Sequence, residues 1–249
     1  MNKKVIYKSI SVLIFIAIWE VLSILVGEDF LLASPYQVAK RLVRLPFESD
    51  FMKTSAFSLG RIFFGFLLAF VLGTVLAILA SRFHAIEYLL WPYVNVIKTV
   101  PVASFIILSL IWFSYERLTI FIAFLIAFPA IYSNVLQGMK NADSQLLEVA
   151  SLYHVPFGRK MKYVYLPSVK PFLLSSCNVA VGMAWKAGVA AEVIGIVKGS
   201  IGEKLYEAKI YFQNADLLAW TIVIIGLSVI SEKLFVSLLK FGMRRIERT

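Results

Sequence analysis

Charged residues that lie inside otherwise apolar stretches include Lys98, Lys186 and Glu192. Lys186 and Glu192 share the run Trp185-Lys186-Ala187-Gly188-Val189-Ala190-Ala191-Glu192-Val193-Ile194-Gly195. Residues seven apart nearly superimpose on a helix, so Trp185 and Glu192 share a face with Gly188 between them. Lys186 lies about 100° away. A charge at the centre of a bilayer costs roughly 2.5–3.5 kcal/mol on insertion scales, so it persists where it lines a watery path, pairs with a partner, or reaches an interface. Three readings follow for Lys186 and Glu192: residues of a translocation path, a buried structural ion pair, or Glu192 simply lying near the outer surface. Lys98 precedes Thr99-Val100-Pro101. Pro101 must break or kink a helix, and the freed backbone groups suit a transport path. Lys98 then lines a vestibule or snorkels to the surface. The chemistry these residues offer is solute handling, with no bond made or broken.

Motifs for other chemistries are missing. No Gly-x-x-x-x-Gly-Lys-Ser/Thr phosphate loop, Gly-x-Ser-x-Gly elbow or His-Glu-x-x-His pair occurs. His84 and His154 have no Cys or second His at ligand spacing, and the single Cys177 excludes an intrachain disulfide. We expect no metal, no cofactor and no enzymatic activity. The net charge of +10 could suit nucleic acid, but most basic residues flank apolar spans, where they meet lipid headgroups and set topology.

The elements that must position these residues are membrane helices. Of the 249 residues, 60% are hydrophobic, and several runs reach the ~20 residues a spanning helix needs. The expected fold is an all-α integral membrane protein, one domain over 1–249, with six spans near 9–26, 59–80, 88–113, 118–136, 168–197 and 215–239. The first apolar run is too long for a signal peptide, and Gly27-Glu28-Asp29 offers no cleavage site, so it reads as an uncleaved span. Ser34 followed by Pro35 predicts a capped surface helix through about Arg44. In the second span Gly65, Ala69, Gly73, Ala77 and Ser81 recur every four residues, a small-residue face for close helix packing. Pro129 falls inside the fourth span. Alternating charge at Glu203, Lys204, Glu207 and Lys209 predicts an external surface helix, either solvated or helping to receive a binding protein.

The long polar interruption Asn141–Pro167 reads as two short helices. The first is capped by Asn141 or Asp143 and carries Leu146, Leu147, Ala150 and Leu152. The second has Pro156 in its first turn and ends at Pro167. Lys140, Arg159, Lys160, Lys162 and Lys170 make this segment basic, which places it and both termini in the cytoplasm. The bias is modest, because the first external loop carries Lys40, Arg41 and Arg44.

Glu148-Val149-Ala150, followed by Leu166-Pro167, resembles the EAA loop of permease subunits in bacterial ATP-binding-cassette importers. Val149 stands where the family usually has Ala, and His154 where it usually has a turn-forming Gly. Ser34-Pro35, the pattern Ser58-Leu59-Gly60-Arg61 with Gly65-Phe66, Lys98 with Pro101, and the run around Glu192 resemble the nitrate, sulfonate, taurine and bicarbonate branch. The resemblance implies a multi-pass permease of the bacterial cytoplasmic membrane, a homodimer moving a small solute such as a sulfonate, nitrate or vitamin precursor. It implies that Glu148, Val149, Ala150, His154, Gly158, Leu166 and Pro167 couple to two copies of a separate ATPase, and that an extracytoplasmic binding protein delivers solute. Lys98, Pro101, Trp185, Lys186, Gly188 and Glu192 would line the path between two permease copies in membrane lipid. The alternatives are an ATPase-independent secondary transporter and a membrane scaffold.

Overall fold

The computed structural model describes residues 3–28 and 31–248, and all its regular elements are helical. Met1, Asn2 and Asp29, which enter the reading of the N-terminal run, lie outside the described residues. The helices are α1 (Lys3–Val26), α2 (Pro35–Arg44), α3 (Phe51–Arg82), α4 (His84–Thr99), α5 (Val102–Trp112), α6 (Tyr115–Lys140), α7 (Ser144–Leu152), α8 (Phe157–Lys160), α9 (Leu166–Gly195), α10 (Ile201–Ile210) and α11 (Asn214–Arg248). Among the described residues, five stretches are long and apolar enough to cross a membrane: the 9–26 part of α1, α3, α6, the α8–α9 unit, and α11 to residue 245. The α4–α5 pair makes a sixth if counted as one broken span.

Lipid tails are as apolar as leucine, so bundling here depends on close packing more than on escape from water. The small face of α3 supplies it. A Cβ on Gly65 would run into the Ile120 carbonyl and the Ala123 methyl of α6, and one on Gly73 would crowd Ile131. At the other end of α6, a Cβ on Gly138 would come within 2.9 Å of the Val169 backbone of α9. Helices α3, α6 and α9 thus form the packed centre. Against it α11 brings Phe235, whose ring meets Phe66 and Phe70 edge-on at 4.8 and 5.0 Å. Helix α2 is tied to the start of α11 by Arg41, which pairs with Asp216 and with Glu48. Helix α1 stays peripheral, held by Trp19 Nε1 donating to the Ala33 carbonyl at 3.1 Å.

Local signals explain the α2 and α7 starts. Ser34 and Gln37 form a reciprocal capping box on α2. Asp143, rather than Asn141, caps α7 by accepting from the Gln145 and Leu146 amides. Pro156 stands just ahead of α8, not in its first turn.

Two further expectations are corrected. Pro167 does not end a helix: it occupies the first turn of α9, where a missing N–H is harmless. Helix α8 runs into α9 through a π turn, Met161–Tyr165, so that Phe157–Gly195 is one helical run. The third span is broken at Pro101, one of the two outcomes expected there: α4 and α5 meet at 108°. Proline disfavours helical backbone in the residue before it; Val100 and Pro101 are both extended and turn the chain. Finally, α10 is no freely solvated helix, since Ile201, Gly202 and Ala208 are buried.

The glycine packing predicts a contrast within α3. Gly65→Val, which collides with α6 backbone, is expected to cost at least about 1–3 kcal/mol. Gly60→Val, whose new Cβ would meet nothing within 4 Å, is expected to fold as the parent does. Thermal unfolding of the purified variants in detergent measures both.

Candidate functional site

The polar centre of the bundle is built around Glu192. Its side chain is fully buried. Ser58 of α3, 134 residues away along the chain, donates its hydroxyl to Oε2 at 2.8 Å. The same hydroxyl accepts from the Ile201 amide at 2.9 Å, and the Gly202 amide donates to Oε2 at 3.2 Å. Ser200 caps the next amide, that of Glu203. The opening amides of α10, which no helix can satisfy internally, are therefore met by α3, α9 and the α10 cap. Oε1 of Glu192 has no partner among the described residues. A side chain at Gly202 would collide with Glu192, which accounts for glycine there.

One turn along α3 from Ser58, Arg61 lies with its guanidinium carbon 3.8 Å from the centre of the Phe57 ring. Arg61 feels both Glu116 and Glu192 electrostatically, yet it makes no hydrogen bond or ion pair among the described residues. It borders a cavity of about 650 Å³ at the end of α6 and α9 remote from α7, together with Glu116, Lys198, Leu110 and Ile196.

Ile196 has φ +47°. It ends α9 in a Schellman motif, with the Val197 amide donating to the Glu192 carbonyl at 3.0 Å and the Ile196 amide to Val193 at 3.4 Å. His154 (φ +50°) ends α7 in the same way: Val155 donates to Ala150 at 2.9 Å and His154 to Ser151 at 3.0 Å. The turn the sequence assigns to glycine is thus kept by histidine. The left-handed conformation costs about 1–2 kcal/mol for a residue with a Cβ.

The structure separates the other path candidates. Lys98 donates to Ser133 of α6 at 2.8 Å, in a cleft of about 260 Å³ closed towards α7 by a 2.5 Å Lys140–Glu87 ion pair. Pro101 forms the α4–α5 break. Trp185 is buried and donates to Ser231 of α11 at 2.9 Å, an anchor between helices. Gly188 packs on Ile62 of α3. Lys186 is exposed on α9, and neither it nor Lys98 contacts Glu192 through any hydrogen bond or ion pair among the described residues. In the 141–167 segment, Glu148, Val149, His154 and Gly158 are exposed, Ala150 is buried, Leu166 packs on the core, and Pro167 is exposed. Sequence reasoning passed over Arg61, although a lone arginine in an apolar span is a functional candidate by default. Ser58 and Ile196 gave no sequence signal of their own.

Residues 69–245, well over half of the chain, match the family described as the binding-protein-dependent transport system inner membrane component. The chain belongs to this family. It is 28% identical to the putative aliphatic sulfonates transport permease SsuC of Bacillus subtilis, over 91% of this chain and 82% of that one. It is 25% identical to the taurine transport system permease TauC of Escherichia coli, over 92% and 82%. It is 28% identical to the nitrate import permease NrtB of Synechococcus elongatus, over 78% and 73%. A crystal structure of an amino acid ABC transporter with histidines superposes with a TM-score of 0.61, covering 82% of this chain and 97% of that one. At 17% identity it shows the fold. The expected membership in the sulfonate, taurine and nitrate branch and the all-α membrane fold are therefore confirmed, and the chain is a multi-pass inner-membrane permease.

Two outcomes test the local geometry of this permease. Ser58→Ala strands the Ile201 amide and half of the Glu192 network, and is expected to cost about 1–3 kcal/mol. His154→Gly relieves the left-handed residue and is expected to stabilise by about 1 kcal/mol. Thermal midpoints of the two variants should move in opposite directions.

Proposed function

We propose that two copies of this chain form the translocation path of an ATP-driven importer for a small organic or inorganic anion. A separate ATPase, one copy per permease, docks on α7, and an extracytoplasmic binding protein delivers the solute. The observation that carries this reading is the surface of α7. Leu146, Val149, Leu152 and Tyr153 are more than half exposed around the buried, small Ala150, and Arg159 and Lys160 flank a shallow groove beside them. An apolar, basic-rimmed helix standing off the bundle is the kind of face that accepts a partner. In this reading α7 and both chain termini lie in the cytoplasm, with the Arg61 cavity at the outer end.

In this reading Glu148, Val149, Ala150, His154, Gly158, Leu166 and Pro167 form the coupling surface, with His154 setting the exit angle of the chain. Lys98, Pro101, Lys186 and the frame made by Trp185, Gly188 and Glu192 belong to the path. Closure of the ATPase dimer moves the two α7 helices, and the bundles rock around the path between them. ATP hydrolysis belongs to the partner. The SsuC, TauC and NrtB relatives are named for sulfonates, taurine and nitrate, which favours an anion. A relative named as a formylaminopyrimidine permease, 27% identical over 75% of this chain, keeps a vitamin precursor as the second candidate.

Leu152→Arg, at an exposed position of α7, is expected to insert and fold but to lose the ATPase, at a cost of about 2 kcal/mol or more at the interface. Co-purification of ATPase and solute uptake measure it. Parental levels of both would refute the docking surface.

A further inference from the structure

The cavity beside Arg61 has no role in the docking surface or in the sequence-derived path. Its volume of about 650 Å³ is that of a site for a small molecule. One side is apolar, made by Phe57, Leu110, Ile194 and Ile196, and the polar side chains are few: Arg61, Lys198, Glu116 and the Tyr115 phenol. Two cations face one carboxylate. Arg61 Nη1 is shielded from solvent and has no hydrogen-bond partner. A guanidinium is never neutral and presents a planar fork that matches an acid group. The rest of this partly exposed side chain has no hydrogen-bonding or ion-pair partner among the described residues, and an acid group in the cavity would supply one.

The wall carries a second irregularity. Ile196 is a β-branched residue in left-handed backbone, a position that glycine fills most readily. The side chain it keeps there is 44% exposed and lines the cavity. Strained residues of this kind cluster where a wall must take a particular shape.

We infer that this cavity is a binding site for a small soluble acid with a short apolar body, its acid group on Arg61, Lys198 at the rim, and Ile196 limiting the length of the body. The assignment deepens the importer reading, on which it rests for calling the occupant a transported solute. Acid headgroups also occur on lipids, but a body confined between Phe57 and Ile196 suits a short molecule.

Full-length permease in phosphatidylcholine nanodiscs, free of anionic lipid, is titrated with butanesulfonate, taurine and nitrate, with butanol as the neutral control, and followed by thermal midpoint. Butanesulfonate is expected to raise the midpoint saturably and butanol not to. Arg61→Gln is expected to weaken apparent affinity at least tenfold. Lys198→Gln, an exposed position that leaves folding alone, should weaken it several-fold, so the site is tested even if Arg61→Gln misfolds. Ile196→Gly should shift preference towards longer alkanesulfonates. No saturable shift with any of the acids, or equal affinity in parent and both charge variants, overturns the site. Stabilisation by phosphatidylglycerol nanodiscs alone makes it a lipid site and also overturns it. Recovery of the ATPase with the parent is scored separately. An acid effect without ATPase keeps the site and sinks the importer reading, and ATPase without an acid effect does the reverse.

Discussion

A buried carboxyl group holds together the end of this permease remote from α7. Burying a polar group without partners costs several kcal/mol, and Glu192 offsets much of that by accepting from Ser58 and from the Gly202 amide. Three helices, α3, α9 and α10, become one unit through these bonds. Everything at that end follows from the join. Arg61 is presented one turn beyond Ser58, the α9 cap at Ile196 follows one turn after Glu192, and α10 begins where its amides find acceptors. The cavity is the space left between the elements so fixed.

Much of the bundle is legible from local pattern. The apolar runs announce the helices, the four-residue spacing of small side chains in α3 marks the face that meets α6, and Ser34 and Asp143 announce caps. What escapes the sequence depends on partners distant in the chain. Pro167 looks like a helix end until α8 is seen to run on through the π turn into α9. Trp185 reads only as an aromatic in an apolar span, and nothing near it in the chain announces Ser231 opposite its indole nitrogen. The charges of α10 suggest a solvated helix, whereas Gly202 betrays contact only once Glu192 is known to lie against it. Arg61 is in plain view as an intramembrane charge, but as one letter of a span pattern it does not show that no described residue hydrogen-bonds or ion-pairs with it.

Three helices share one unusual ending. His154, Ile196 and Phe212 all sit in left-handed backbone after α7, α9 and α10, and the Gln213 amide returns to Ala208 at 2.8 Å just as Val155 and Val197 return to their helices. Glycine would close each turn with less strain. Each residue instead keeps a side chain at a bend, beside the proposed docking helix, on the cavity wall, and at the entrance to α11.

Helix α6 is unbroken over 26 residues, a rod of about 39 Å. Its first turn carries Glu116 of the cavity, and its last carries Lys140, directly ahead of α7. Gly65 and Gly138 seat it against α3 and α9 near opposite ends. A helix seated on a neighbour near each end joins the two ends in one continuous part, with Pro129, which removes a backbone hydrogen bond, as the point where it can flex. The mouth of the cavity and the foot of the permease are then two ends of a single mechanical part, and their positions are geometrically interdependent.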